Sequence, residues 1–75
     1  SGYKYFTMES YKDYYMDPGF LPQKVTMARL REILGEHKVH YTGSEKKAEL
    51  VELFNKHVKP LIPSLREKEQ ELENF

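Results

Sequence analysis

Apolar residues recur at helical spacing in two stretches of the chain. Met27, Leu30, Ile33 and Leu34 lie three and four apart and make one stripe, with Arg29, Arg31, Glu32 and Glu36 on the other faces. Thr26 stands where a hydroxyl can cap the first turn, and Gly35 weakens the last, so a helix is predicted from Thr26 to about His37. The second stretch is stronger. Ala48, Leu50, Val51, Leu53, Phe54 and Val58 build a broad apolar face behind Ser44, which is the predicted N-cap. Pro60 cannot continue the hydrogen-bond ladder, so this helix ends or kinks there.

Between the two, Val39 and Tyr41 alternate with polar neighbours, as in a short extended piece, and Gly43 permits a reversal. Ser64 with Glu67 three residues on has the spacing of a reciprocal cap, which predicts a third, Glu-rich helix with a thin Leu65/Leu72 stripe. Asp17-Pro18-Gly19 is a turn signal, and Pro22 keeps the following residues extended. The predicted fold is all-α and small. It has an aromatic N-terminal arm over residues 1–13, a domain over 14–66 and an acidic helical tail over 67–75. Leu30, Ile33, Leu34, Val39, Leu50, Val51, Phe54 and Val58 are the predicted core.

Composition narrows the function. With 75 residues, no Cys and no Trp, the chain holds one small domain with a marginal core and no disulfide. No apolar run approaches the roughly 20 residues of a membrane span, and no signal peptide is evident, so this segment is expected to be soluble. Catalysis is not expected, because no nucleophile has a base beside it and there is no phosphate-cradling glycine loop. No cofactor is expected. His37, His40 and His57 lack the ligand set of a zinc site.

The zero net charge conceals an uneven distribution. Residues 21–66 carry nine bases against five acids, while residues 67–75 carry one base against four. A basic centre between acidic ends suggests a polyanionic partner, and a solvated surface of mixed charge accounts for it equally well. Lys46, Lys47, Ser44 and the amides after Gly43 open the second helix, where free N–H groups attract phosphate, and Lys24, Arg29, Arg31 and Lys38 could widen the patch. The aromatics are segregated as well: Tyr3, Tyr5, Phe6, Tyr11, Tyr14, Tyr15 and Phe20 fall in the first twenty residues. Such a stretch docks either on its own domain, the favoured reading for Tyr14–Phe20, or on another protein, where tyrosine is a preferred contact. Ser1-Gly2 has the form of an expression-tag remnant.

The order of these pieces resembles a known family. Val25 to Leu34, His37-Lys38-Val39-His40-Tyr41, Ser44 to Phe54 and Val58-Lys59-Pro60, preceded by Gly19-Phe20-Leu21-Pro22, are similar to the helix-extension-helix (HeH) domain of fungal LEM-class inner nuclear membrane proteins. The likeness covers roughly residues 14–66. It departs at Thr42-Gly43, where Pro-Ser is expected, and says nothing of residues 3–11 or of the acidic end. Related SAP-type domains bind DNA, and Ser44, Lys46, Lys47 and Leu50 are similar to their second-helix start. Related LEM-type domains bind a small chromatin-associated protein.

The resemblance therefore implies a chromatin-facing module on the nucleoplasmic side of the inner nuclear membrane, with transmembrane segments elsewhere in the full-length protein. The expected contact is weak, sequence-independent binding of DNA phosphates by Lys24, Arg29, Arg31, Lys38, Gly43, Ser44, Lys46 and Lys47. The alternative is LEM-like docking of a chromatin or nuclear-envelope protein through Tyr3, Tyr5, Phe6, Tyr11, Tyr14 and Tyr15.

Overall fold

The computed structural model describes residues 14–73, so the expectations for Tyr3, Tyr5, Phe6 and Tyr11 lie outside the described residues. Three α-helices follow one another: α1 (Met27–Glu36), α2 (Lys47–His57) and α3 (Ile62–Glu73). Short 3-10 turns at Tyr14–Met16, Pro22–Lys24 and Lys59–Leu61 shape the chain before and between them. Among the described residues there is no strand.

Helix α1 begins as its sequence predicts. Thr26 is extended, and its hydroxyl accepts the Arg29 amide at 3.2 Å. At the other end Val39 N–H reaches Leu34 C=O at 2.9 Å and Lys38 N–H reaches Gly35 C=O at 3.1 Å. That pair of bonds is the Schellman closure, and it forces the residue after the C-cap into left-handed backbone. Here that residue is Lys38, with φ of 56°.

The core lies where α1 crosses α2. Leu30, Leu34, Leu50 and Val58 are fully buried, with Ile33 and Phe54 close behind. Val39 and Val51, also expected in the core, pack against it only partly. The N-terminal segment completes it. Tyr14, Tyr15, Met16 and Val25 are buried, which bears out the intramolecular reading of Tyr14–Phe20. The aromatic rings form a ladder: Tyr14 to Phe20 edge-on at 5.7 Å, Phe20 to Phe54 tilted at 5.4 Å and Tyr15 to Phe54 edge-on at 6.4 Å between centroids.

Two helix boundaries differ from expectation. The N-cap of α2 is Lys46, and Ser44 lies in the loop before it. A carboxylate two residues before α2 draws the loop amides to itself, which delays the helix by two positions. Helix α3 starts at Ile62, two residues before the predicted Ser64 cap, because Pro63 is tolerated in a first turn and its fixed φ suits helix entry. The Pro60 break is confirmed: α2 stops at His57, and the 3-10 turn Lys59–Leu61 redirects the chain into α3.

Candidate binding surfaces

The loop before α2 is organised by one side chain. The Glu45 carboxylate accepts the Thr42 amide at 2.7 Å, the Gly43 amide at 2.9 Å and the Thr42 hydroxyl at 3.1 Å. The Thr42 hydroxyl in turn accepts the Ser44 amide at 3.3 Å and lies 2.9 Å from the Ser44 hydroxyl. Gly43, at φ of 96°, supplies the left-handed turn that points both amides at one carboxylate. Beyond it, the Lys46 amide donates to Glu49 at 2.9 Å. This is half of a capping box; the other half is missing, since an ammonium has no lone pair to accept an amide.

The charge state of Glu45 follows from this geometry. The Thr42 amide above all, then Glu45's own amide, the Gly43 amide and the Thr42 hydroxyl, pull its pKa from the ordinary 4.5 down to about 2. Glu45 is therefore an anion throughout the physiological range.

This geometry bears on the expected anion site. The Gly43 and Ser44 amides, predicted to be free for a phosphate, are already bonded within the chain. Glu45, one of the five acids of residues 21–66, sits in the cradle itself. Carboxylate and phosphate oxygens compete for the same N–H groups, and the tethered one needs no association step. The cations around it are less engaged. Arg29 pairs with Glu32 at 3.3 Å, the one ion pair among the described residues. Lys24, Arg31, Lys38, Lys46 and Lys47 form none, and they stand on separate segments: a 3-10 turn, α1, the turn after it, and the start of α2.

The tyrosine set divides. Tyr14 and Tyr15 are only 7% and 2% exposed, so their side chains are part of the core and do not project from the surface. Tyr15 also fixes the N-terminal segment to the end of α1. Its hydroxyl lies 2.8 Å from His37 Nε2 and donates to Glu36 at 3.3 Å, while its ring stands edge-on to the imidazole at 5.6 Å. His37 is thus taken up in the fold. Among the described residues no cluster of His, Cys, Asp or Glu could hold a metal ion, and no helix is long and apolar enough to cross a membrane.

A second surface was not legible in the sequence. The segment from Tyr15 to Gln23, the end of α2 and one side of α3 enclose a groove of about 660 Å³. Phe20, Leu21, Pro22, Phe54, Ile62 and Pro63 supply its apolar wall. Asp17, Lys59, Arg66 and Glu67 are among its polar lining. The Asp17-Pro18-Gly19 turn shapes the upstream wall: Gly19 N–H donates to the Asp17 carboxylate at 2.9 Å and Phe20 N–H to the Asp17 carbonyl at 3.0 Å. Leu21 projects from this wall with 46% of its surface exposed.

Comparison with known proteins places this architecture. The HeH/LEM domain family model matches residues 22–56. The chain is 44% identical over 52 residues, 69% of its length, to the inner nuclear membrane protein SRC1 of Saccharomyces cerevisiae. It is 40% identical over 42 residues, 56% of its length, to the meiotically up-regulated gene 61 protein of Schizosaccharomyces pombe. It spans only 6% and 5% of those two proteins. No solved structure matches it. The matched span holds α1, the extended connector and α2 up to its last residue, and through it the chain belongs to the HeH/LEM domain family.

Proposed function

We propose that this chain is a non-enzymatic, chromatin-facing module of an inner nuclear membrane protein, on the nucleoplasmic side, and that it acts by docking protein. The location follows from the printed name of the yeast relative and from the family. One observation carries the choice of protein over DNA: Glu45, ionised and bonded to two backbone amides, fills the corner at which a phosphate would sit. The overall charge agrees. A domain that works by phosphate contacts is typically strongly basic, whereas residues 21–66 carry an excess of only four bases and the whole chain none. What it offers is an apolar groove of a size that holds side chains. The partner is a segment of a chromatin or envelope protein that carries aromatic or aliphatic side chains.

The test compares two variants of the full-length protein in permeabilised nuclei. Leu21→Glu puts a charge at the groove mouth and is expected to release the protein from chromatin. The paired change Lys46→Ala with Lys47→Ala is expected to leave it bound. A duplex titration of this chain followed by NMR supplies the second readout, and no saturable shifts are expected at residues 42–47. Saturable binding there, weakening tens of fold between about 50 and 200 mM salt as three or more phosphate contacts require, would return DNA to first place.

A further inference from the structure

We infer that the groove is an aromatic-binding site and that its occupant, before any partner arrives, is this chain's own residues 1–13. The inference rests on the reading of the groove as the docking surface and adds what a partner has to displace.

Position is the first argument. Tyr14 is buried, edge-on to Tyr15 at 5.8 Å and to Phe20 at 5.7 Å, and Tyr15 and Phe20 both line the groove. Tyr14, to which the thirteen upstream residues are joined, therefore sits beside the groove wall. Reach does not limit them. Fully extended, they span about 43–47 Å, whereas the long dimension of the folded part is 41 Å.

Chemistry is the second argument. Residues 1–13 carry Tyr3, Tyr5, Phe6 and Tyr11. An extended stretch shows Tyr3, Tyr5 and Tyr11 on one face, since alternate residues share a side. The ring ladder from Tyr14 through Phe20 to Phe54 ends in the groove, so a further ring entering there meets aromatic edges and faces at the same spacings. Charge raises no barrier. Lys4 and Lys12 balance Glu9 and Asp13 in the arm, as Lys59 and Arg66 balance Asp17 and Glu67 along the groove.

The chain contains no cysteine, so a single one can carry a spin label. The experiment uses the full chain with Thr7→Cys and a nitroxide, and compares amide intensities in the oxidised and reduced label. Occupancy in cis predicts at least a twofold loss at residues 20–23 and 62–67. The loss should persist on dilution and disappear when Tyr5→Ser and Tyr11→Ser are added. Uniform or absent broadening overturns the inference, as does a groove-centred loss that survives removal of the two tyrosines. If labelled chain broadens the groove signals of isotope-enriched, unlabelled chain, the occupant is a second copy and the cis assignment fails. None of these outcomes touches the retention experiment, so partner docking stands or falls separately.

Discussion

Replacing Lys38 by glycine should stabilise this domain, and the backbone says by how much. Lys38 sits at φ of 56°, in the left-handed position that the closing bonds of α1 demand. A side chain there costs roughly 1–2 kcal/mol through contact between Cβ and the carbonyl that follows. Glycine relieves that contact but enlarges the unfolded ensemble, an opposing effect of about 0.4–1 kcal/mol. The difference favours the variant by about 0.8 kcal/mol at the middle of both ranges. For a domain of this size, each kcal/mol moves Tm by about 4–8 °C, so Lys38→Gly should melt about 3–6 °C higher by circular dichroism at 222 nm. Lys38→Ala keeps Cβ and should gain nothing. Equal gains from glycine and alanine would show that removal of charge, not of Cβ, is the cause, and a lower Tm for glycine would refute the strain argument outright.

Glu45 should titrate near pH 2 when its carboxyl carbon is followed by NMR. Its pKa is depressed in the folded state, so the stabilisation it gives is complete above about 4.5 and fades as pH falls toward about 2, with the Thr42 and Gly43 amides shifting in step. A midpoint at 4.5 would mean that the loop bonds are not held in solution. Tyr15→Phe keeps the ring and removes the hydroxyl between His37 and Glu36; a loss of about 1–2 kcal/mol by denaturant titration is expected, and no change would show those bonds to be idle. Phe54→Ala should cost about 3–5 kcal/mol and largely unfold the domain, because Phe54 is 2% exposed at the centre of the ring ladder. Leu72→Ala, at a side chain 77% exposed, should leave the melting curve where it is.

The helices were legible because their evidence is local. Thr26 announces α1, Pro60 closes off α2, and the stripe of Leu30, Ile33 and Leu34 meets that of Leu50, Phe54 and Val58 as the spacing requires. The start of α2 was misread because three residues in a row, Thr42, Gly43 and Ser44, look like a capping turn. Whether Ser44 or Glu45 takes the amides depends on the turn at Gly43, where a longer carboxylate reaches back over two residues. The groove was invisible for a different reason. Its wall joins Phe20, Phe54 and Ile62, which no periodicity brings together; only the redirection at Lys59–Leu61 lays α3 beside the N-terminal segment. Tyr14 and Tyr15 fell between these cases, since a run of aromatics shows that something is buried without showing against what.

The scarcity of charge pairing has a practical consequence. A single solvent-facing contact, Arg29 with Glu32, is the whole of the ionic cross-linking among residues 14–73. Such contacts contribute little, and electrolyte screens what they do contribute. Folding of this domain should therefore be nearly indifferent to ionic strength, which makes added sodium chloride a clean experimental variable. Whatever changes when it is raised belongs to the encounter between this module and its target, and not to the module coming apart.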